Sequence, residues 1–443
     1  MKWVLNSVYL LLLTLLSPMI AWRALRHGRY RRGWREKLFG QLQPVADRRQ
    51  PVVWFHAVSV GEILHLQKVV DAFRRMTGEQ FHIVVTSSTD TGFELAESRF
   101  PDCSVSWFPL DFSWAVDAAI RRVNPAMVVL MELELWPNFL LSCRRHSVAT
   151  ALINARMSDR SFAGYRRLNH FIRPLFHHFT VVAAQTEEYA ARLIQLGTPQ
   201  DQTHVTGSVK FDGVLSNRDN SATGKLRELF QIQDSDLILI AGSTQHPEEQ
   251  LAVNAWQQLR QHHPALRLII VPRHRERFDE VAGLIQQSQC RVLRRSALTP
   301  GAEVSADAVI LLDTIGELSA CWGLADIAFV GGSFGSRGGQ NMLEPAAFGA
   351  AVLFGPNTSN FRDIVSRLLT IDGAIRLTEE ADLATCVESL LNDPPRRRQL
   401  GLAARNMVLS QQGALMKTTK LLTAAAHDAA GQPTTRAADR AAA

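Results

Sequence analysis

Cysteine is scarce in this chain, and its five copies (Cys103, Cys143, Cys290, Cys321 and Cys386) form no close pairs. That spacing excludes a thiolate zinc site and a disulfide framework, and it fits a reducing compartment. Histidine supplies no metal motif either: His177-His178 and His262-His263 are adjacent, where a helical site needs i and i+4. No metal is expected. Aromatic residues make up only 8% of the chain, and the basic residues carry neither stacking partners nor a nucleic-acid motif. Nucleic acid is therefore not the expected partner. An acidic excess is also lacking, the net charge being +6. No short-period repeat is present, and a long uncharged apolar run occurs at one place.

That place is the segment from Trp3 to Trp22, leucine-rich and about as long as a bilayer core requires. Tryptophans flank it as interfacial residues do. Arg23, Arg26, Arg29, Arg31, Arg32, Arg35 and Lys37 follow, against only Glu36. Such a run predicts that the C-terminal side stays in the cytoplasm. A cleaved signal peptide carries its charge first, whereas here Lys2 is the only leading charge and Arg23 follows at once. Asn6 and Pro18 also suit an in-plane anchor. Residues 1–22 are thus expected to anchor the chain at an anionic membrane surface, by spanning or by lying in it.

The rest of the 443 residues suffices for two domains of about 200 residues each. Apolar runs at 51–55, 81–86, 126–131, 149–153 and 180–184 alternate with helix-period segments, and Gly207 to Lys210 closes this half. A second series places strands at 237–240, 268–271, 308–312, 327–330 and 351–354. Buried runs alternating with helices describe α/β domains with parallel sheets covered on both faces. The polar stretch 216–224 reads as a linker. The expected division is 23–215, then 225–422, then a disordered Ala-rich tail over 423–443. Two doubly wound sheets bind ligands beyond the carboxyl ends of their strands, in a cleft.

Polar loops fall at those strand ends. In His56-Ala57-Val58-Ser59-Val60-Gly61-Glu62, Ser59 can cap a helix that presents Glu62 on its first turn. Glu62 then serves either as a general base on an alcohol or only as a partner of the helix dipole. Glu132 and Glu134, at alternate positions of an extended segment, point the same way. Lys210 follows a strand and suits a sugar carboxylate or a phosphate. In the second half, Gly242-Ser243-Thr244 offers free N–H groups to a phosphate, and Arg273 of Pro272-Arg273-His274 can pair with one. Asp313 to Leu318 offers backbone groups to a base edge. Gly331-Gly332 and Gly338-Gly339 permit close approach of a ligand, and Glu344 opens a helix where a carboxylate can accept from a ribose diol.

Taken in order, HAVSVGE, ELELWPN, residues 154–158, GSVKFD, VPRH, DTIGEL, FVGGS, GGQNMLEP and Asn360-Phe361 resemble the motif set of the 3-deoxy-D-manno-octulosonic acid (Kdo) transferases. The resemblance runs from the anchor to about residue 420. It implies a GT-B fold and an inverting transfer of Kdo from CMP-Kdo to the lipid A precursor, lipid IVA, on the cytoplasmic side of the inner membrane. No cofactor is implied beyond CMP-Kdo as donor substrate. Matched motif by motif, Glu62 falls on the general base, and Glu132 and Lys210 on residues that stabilise the transition state. Pro272 and Arg273, Ile315, Gly316 and Glu317, and Asn341, Met342, Leu343 and Glu344 fall on positions that hold CMP. Gln340 stands where histidine is common and Leu133 where threonine is common, which affects donor geometry. The residues alone also admit another GT-B transferase or epimerase using a UDP- or ADP-sugar, and a non-catalytic nucleotide-binding protein.

Overall fold

The computed structural model describes residues 2–27, 32–45 and 49–431. Arg29 and Arg31 of the basic run and residues 432–443 of the expected tail lie outside the described residues. The chain divides into two units, Met1–Asp212 with Gln412–Ala443, and Gly213–Gln411.

Among its described residues the first unit holds seven strands: β1 Val52–His56, β2 His82–Ser87, β3 Ser104–Trp107, β4 Met127–Met131, β5 Ala149–Ala155, β6 Val181–Ala184 and β7 Thr203–Val205. Their order is β3-β2-β1-β4-β5-β6-β7, with every pairing parallel. Alternate residues of β1 enter opposite cores: Val52 and Trp54 join one apolar cluster, Val53 and Phe55 the other. Helices cover both faces, so the strands read as continuous apolar runs rather than alternating ones. The second unit repeats the plan with β8 Leu237–Thr244, β9 Leu266–Pro272, β10 Arg291–Arg294, β11 Ala308–Leu311, β12 Ile327–Val330, β13 Ala351–Phe354 and β14 Ala374–Arg376. Its order is β10-β11-β9-β8-β12-β13-β14, again all parallel.

The apolar runs of the sequence mark ten of these strands. The four outside them, β3, β7, β10 and β14, are the four sheet edges. An edge strand has neighbours on one side only and stays half-exposed, as β7 and β10 do, so it lacks a continuous apolar signature. In each sheet the chain reverses its direction of winding once, between β1 and β4 and between β8 and β12. Those are the switch points where open parallel sheets take ligands.

Three expectations about boundaries change. Residues 216–224 are not a free linker. Arg218 donates to the carbonyls of Ala325 (2.6 Å) and Phe348 (2.9 Å), and Asn220 caps the helix Ser221–Leu229. The second unit ends at Gln411 instead of at 422. The segment from residue 423 is ordered as far as 431, within the helix Ala414–Gly431. That helix packs on α3 (Val60–Thr77) in the first unit, adding Ala414, Leu422 and Ala426 to the core that holds Ile63, Leu66, Val70 and Phe73. The Asp212 carboxylate fixes its start by accepting from Gly413 N (2.7 Å) and Leu415 N (2.8 Å).

The apolar N-terminal run is one helix, α1 (Lys2–His27), with Pro18 inside it. It is long and apolar enough to cross a membrane. After it comes α2 (Trp34–Phe39), which packs on the helix Ser113–Val123.

Candidate active site

In the first unit β1 and β4 are neighbours, so the residues that follow them meet at the switch point. After β1, the hydroxyl of Ser59 accepts from Glu62 N (3.3 Å) and donates to Glu62 Oε1 (2.8 Å). Val58 N donates to Glu62 Oε2 (3.0 Å). This reciprocal capping box holds the half-buried Glu62 carboxylate at the start of α3. Each carboxylate oxygen keeps a second lone pair for a further donor.

After β4 the backbone does not stay extended. Glu132 sits at φ 58°, a left-handed conformation that a residue with a Cβ rarely adopts. The turn sends its side chain, 14% exposed, between two cations: Lys210 Nζ at 3.0 Å from Oε1 and Arg156 Nε at 3.0 Å from Oε2. Both cations are placed by Asn154, buried at the end of β5. Its Oδ1 accepts from Ser208 Oγ (3.1 Å) and Val209 N (3.3 Å), which pins the loop carrying Lys210 beside the strand carrying Arg156. Lys210 is thus an ion-paired residue, not a solvated surface lysine. Arg156 lies in the stretch 154–158, to which the sequence gives no role, because nothing in a single sequence reports the partner of a basic residue.

Glu134 accepts from Trp136 Nε1 (2.9 Å). Burial, with the Glu62 charge second, pushes its carboxyl up to about 7. On α3, burial and then the Lys210 and Lys68 ammonium groups press His65 down to about 4, keeping the ring neutral. Glu62, Glu132, Glu134, His65, Arg156 and Lys210 therefore share one locality. His56 of the same first motif is excluded from it. It is fully buried, stacked on Phe108 at 3.7 Å, and held near pKa 3 by burial.

In the second unit the glycine loops serve packing as well as approach. Gly242 and Thr244 belong to β8 rather than to a helix start. A Cβ on Gly242 would lie 2.4 Å from Trp322, so this glycine accommodates an indole. The Glu248 carboxylate, 1% exposed, accepts from Gln245 N (2.9 Å), Gly332 N (2.7 Å), Ser333 N (2.8 Å) and Phe334 N (3.1 Å). Those amides are satisfied from within and are not open to a phosphate. Gly331 lacks a Cβ where one would meet Glu248 Oε2 at 2.7 Å.

The remaining sites predicted for CMP lie at strand ends. Pro272 ends β9 and is buried, while Arg273 is exposed. Among the described residues its guanidinium meets no carboxylate, whereas Arg277, Arg294 and Arg295 pair with Glu249, Asp313 and Glu317. After β11, Ile315 is 76% exposed, Gly316 takes φ 91°, and Glu317 is bonded by Thr314 Oγ1 and by Arg295 at 2.9 Å. After β12, Asn341 Oδ1 accepts from Leu343 N (3.1 Å) and its Nδ2 donates to Glu344 Oε1 (2.9 Å). Glu344 lies in the first turn of the helix Leu343–Ala347, as expected. The Met342 and Leu343 side chains are buried, which leaves only their backbone for a ligand.

A family profile described as 3-deoxy-D-manno-octulosonic-acid transferase (kdotransferase) matches residues 32–213. A 3-deoxy-D-manno-octulosonic acid transferase of Haemophilus influenzae is 33% identical over 374 residues, covering 84% of this chain and 86% of the relative. One of Bordetella pertussis is 33% identical over 94% of this chain and 98% of its own length. Among solved structures, a UDP-GlcNAc 2-epimerase from Neisseria meningitidis superposes with a TM-score of 0.52 at 12% identity, covering 84% of this chain and 99% of that one. That last likeness is one of fold.

Proposed function

This chain belongs to the 3-deoxy-D-manno-octulosonic acid (Kdo) transferase family, and we infer from that membership that it moves Kdo from CMP-Kdo to a lipid A precursor in lipopolysaccharide assembly. The reaction is a displacement at the anomeric carbon. A hydroxyl of the acceptor attacks, the bond to the CMP phosphate breaks with its electron pair, and the hydroxyl proton passes to a base. In this reading Glu62 is the base, because its oxygens are held at a helix start and keep unused lone pairs. Lys210 and Arg156, fixed on Glu132, carry two positive charges toward the Kdo carboxylate and the charge that develops during transfer.

The second unit is assigned the donor. Arg273 takes the CMP phosphate, the turn at Ile315, Gly316 and Glu317 takes the base, and Asn341 to Glu344 take the ribose. No metal is required for this assignment, since CMP leaves with its phosphate already ionised. The helix α1 and the arginines after it are assigned to the inner membrane, with both units on the cytoplasmic side, where the amphiphilic acceptor lies.

The ion-paired Glu132–Lys210–Arg156 cluster beside Glu62 at the β1/β4 switch point is the observation that carries these roles. Membranes containing the protein, given CMP-Kdo and a tetraacylated lipid A precursor, are expected to yield a product heavier by one or more Kdo units in mass spectra. Turnover of UDP- or ADP-sugars in place of CMP-Kdo would overturn the donor assignment.

A further inference from the structure

We propose that α1 is a monotopic anchor, entering one leaflet of an anionic bilayer from the side on which the first unit lies and never crossing it. The membrane location itself rests on the preceding reading; the new claim concerns sidedness and depth.

Among the described side chains of α1, those shielded from solvent are Leu5, Asn6, Tyr9 and Leu13, which repeat at helical spacing along one face. Two of them are polar, and both are engaged by the globular unit. Asn6, 3% exposed, donates from Nδ2 to Ser113 Oγ (2.8 Å). Its Oδ1 accepts from Ser113 N (3.0 Å) and Asn138 Nδ2 (3.3 Å). Tyr9 donates to Asp111 Oδ2 (3.0 Å) and sets its ring edge-on to Phe112. Asp111 is itself buried and holds the start of the helix Pro137–Arg145 through Asn138 N and Phe139 N.

These contacts and a spanning orientation exclude each other. The apolar stretch from Trp3 to Trp22 is about 30 Å of helix at 1.5 Å per residue, so a spanning α1 would need all of it inside the hydrocarbon core. With the arginine-rich end on the side of the globular units, a spanning α1 would carry Asn6 toward the far interface and Tyr9 into the core. Neither side chain could then reach Ser113, Asn138 or Asp111. Asn6 would meet hydrocarbon or the far headgroups instead, losing the three bonds it makes here.

The rest of α1 fits a lipid partner. Val4, Val8, Leu11 and Leu12 point away from the unit, and beyond Leu13 the side chains of Leu15, Leu16, Met19, Trp22 and Leu25 are exposed. The Thr14 and Ser17 hydroxyls donate to carbonyls within the helix, so neither enters lipid unsatisfied. Exposed Trp114 stacks on Phe112, the ring that Tyr9 touches, and donates to Leu38 O next to exposed Phe39. The docking face of α1 and these aromatics thus belong to one patch. Of the six arginines between residues 23 and 35, Arg23 and Arg26 belong to the end of the helix and the other four come after it in the sequence, a run that matches anionic headgroups.

The test uses the full chain in inside-out inner-membrane vesicles, with a protease-cleavable epitope ahead of Met1 and, in a parallel preparation, after Ala443. Without detergent the two epitopes are expected to be lost at rates within twofold of each other. An N-terminal epitope protected until detergent is added, while the C-terminal one is cut, would overturn the proposal and leave the membrane location intact. Protein that washes off the vesicles in salt would sink both. Kdo transfer by the same vesicles reports separately on the assigned activity.

Discussion

At the scale of single residues, the site is a set of carboxylates given different work by their surroundings. Glu62 is hydrogen-bonded on both oxygens at a helix start, Glu132 is neutralised by two cations, and Glu134 is desolvated. Glu62→Gln keeps the size and one acceptor of the capping box but removes the base. Transfer is expected to fall 10²–10⁴-fold, with CMP affinity by calorimetry unchanged. Glu134 gives a pH signature. Its carboxyl is raised from 4.5 to about 7, so it is mostly neutral below that pH and charged beside Glu62 above it. A negative charge that forms at this locality favours departure of the acceptor proton, so the transfer rate is expected to rise through about pH 7, and Glu134→Gln should remove that step. The stability sign is the opposite. A raised carboxyl contributes fully below about pH 4.5, and that contribution is lost as the pH climbs through 7. Urea midpoints of the wild type relative to Glu134→Gln, measured across this range, check it. In the sequence, Glu62 and Lys210 stood out because they follow strands at helix starts and loops. Arg156 did not, since a basic residue in a loop has no local mark that distinguishes an ion pair from a solvated charge.

At the scale of elements, the loop after β12 depends on one buried carboxylate. Glu248 satisfies Gly332, Ser333 and Phe334, and Gly331 leaves it room. Gly331→Ala places a methyl within 2.7 Å of Glu248 and 2.6 Å of the Thr244 Cα, and is expected to lower stability by about 1–3 kcal/mol through overpacking. Glu248→Ala leaves buried N–H donors unpaired and should lower it by about 2 kcal/mol or more. Both are read from denaturant midpoints, and both should weaken CMP binding, because the same loop leads to Asn341 and Glu344. The glycine pairs were visible in the sequence, but one cause of their presence was not. A glycine that makes room for a ligand and one that makes room for a distant glutamate look alike in a row of letters. The sheet edges were hidden for a related reason: β3, β7, β10 and β14 bury too little to form an apolar run.

At the scale of the whole molecule, the chain leaves its first unit at Asp212 and returns to it at Gln412. The last helix completes the core over α3, so the first unit needs both ends of the chain. Removing residues 412–443 uncovers Ile63, Leu66 and Phe73 and leaves Asp212 without its amide partners. Limited proteolysis of that truncation is expected to cut the first unit at least tenfold faster and the second unit at an unchanged rate. The sequence by itself determined the alternation of strand and helix, the ten inner strands, the apolar N-terminal helix and the loops that carry polar chemistry. These are local properties, written in the period of apolar residues and in the small or polar residues that interrupt it. Only the tertiary structure decided which charges meet, which amides are already occupied, that α1 is latched by Asn6 and Tyr9, and where the final helix packs. Each of those depends on partners brought together by sheet order and chain return, and a side chain's identity does not encode the distant group it will face.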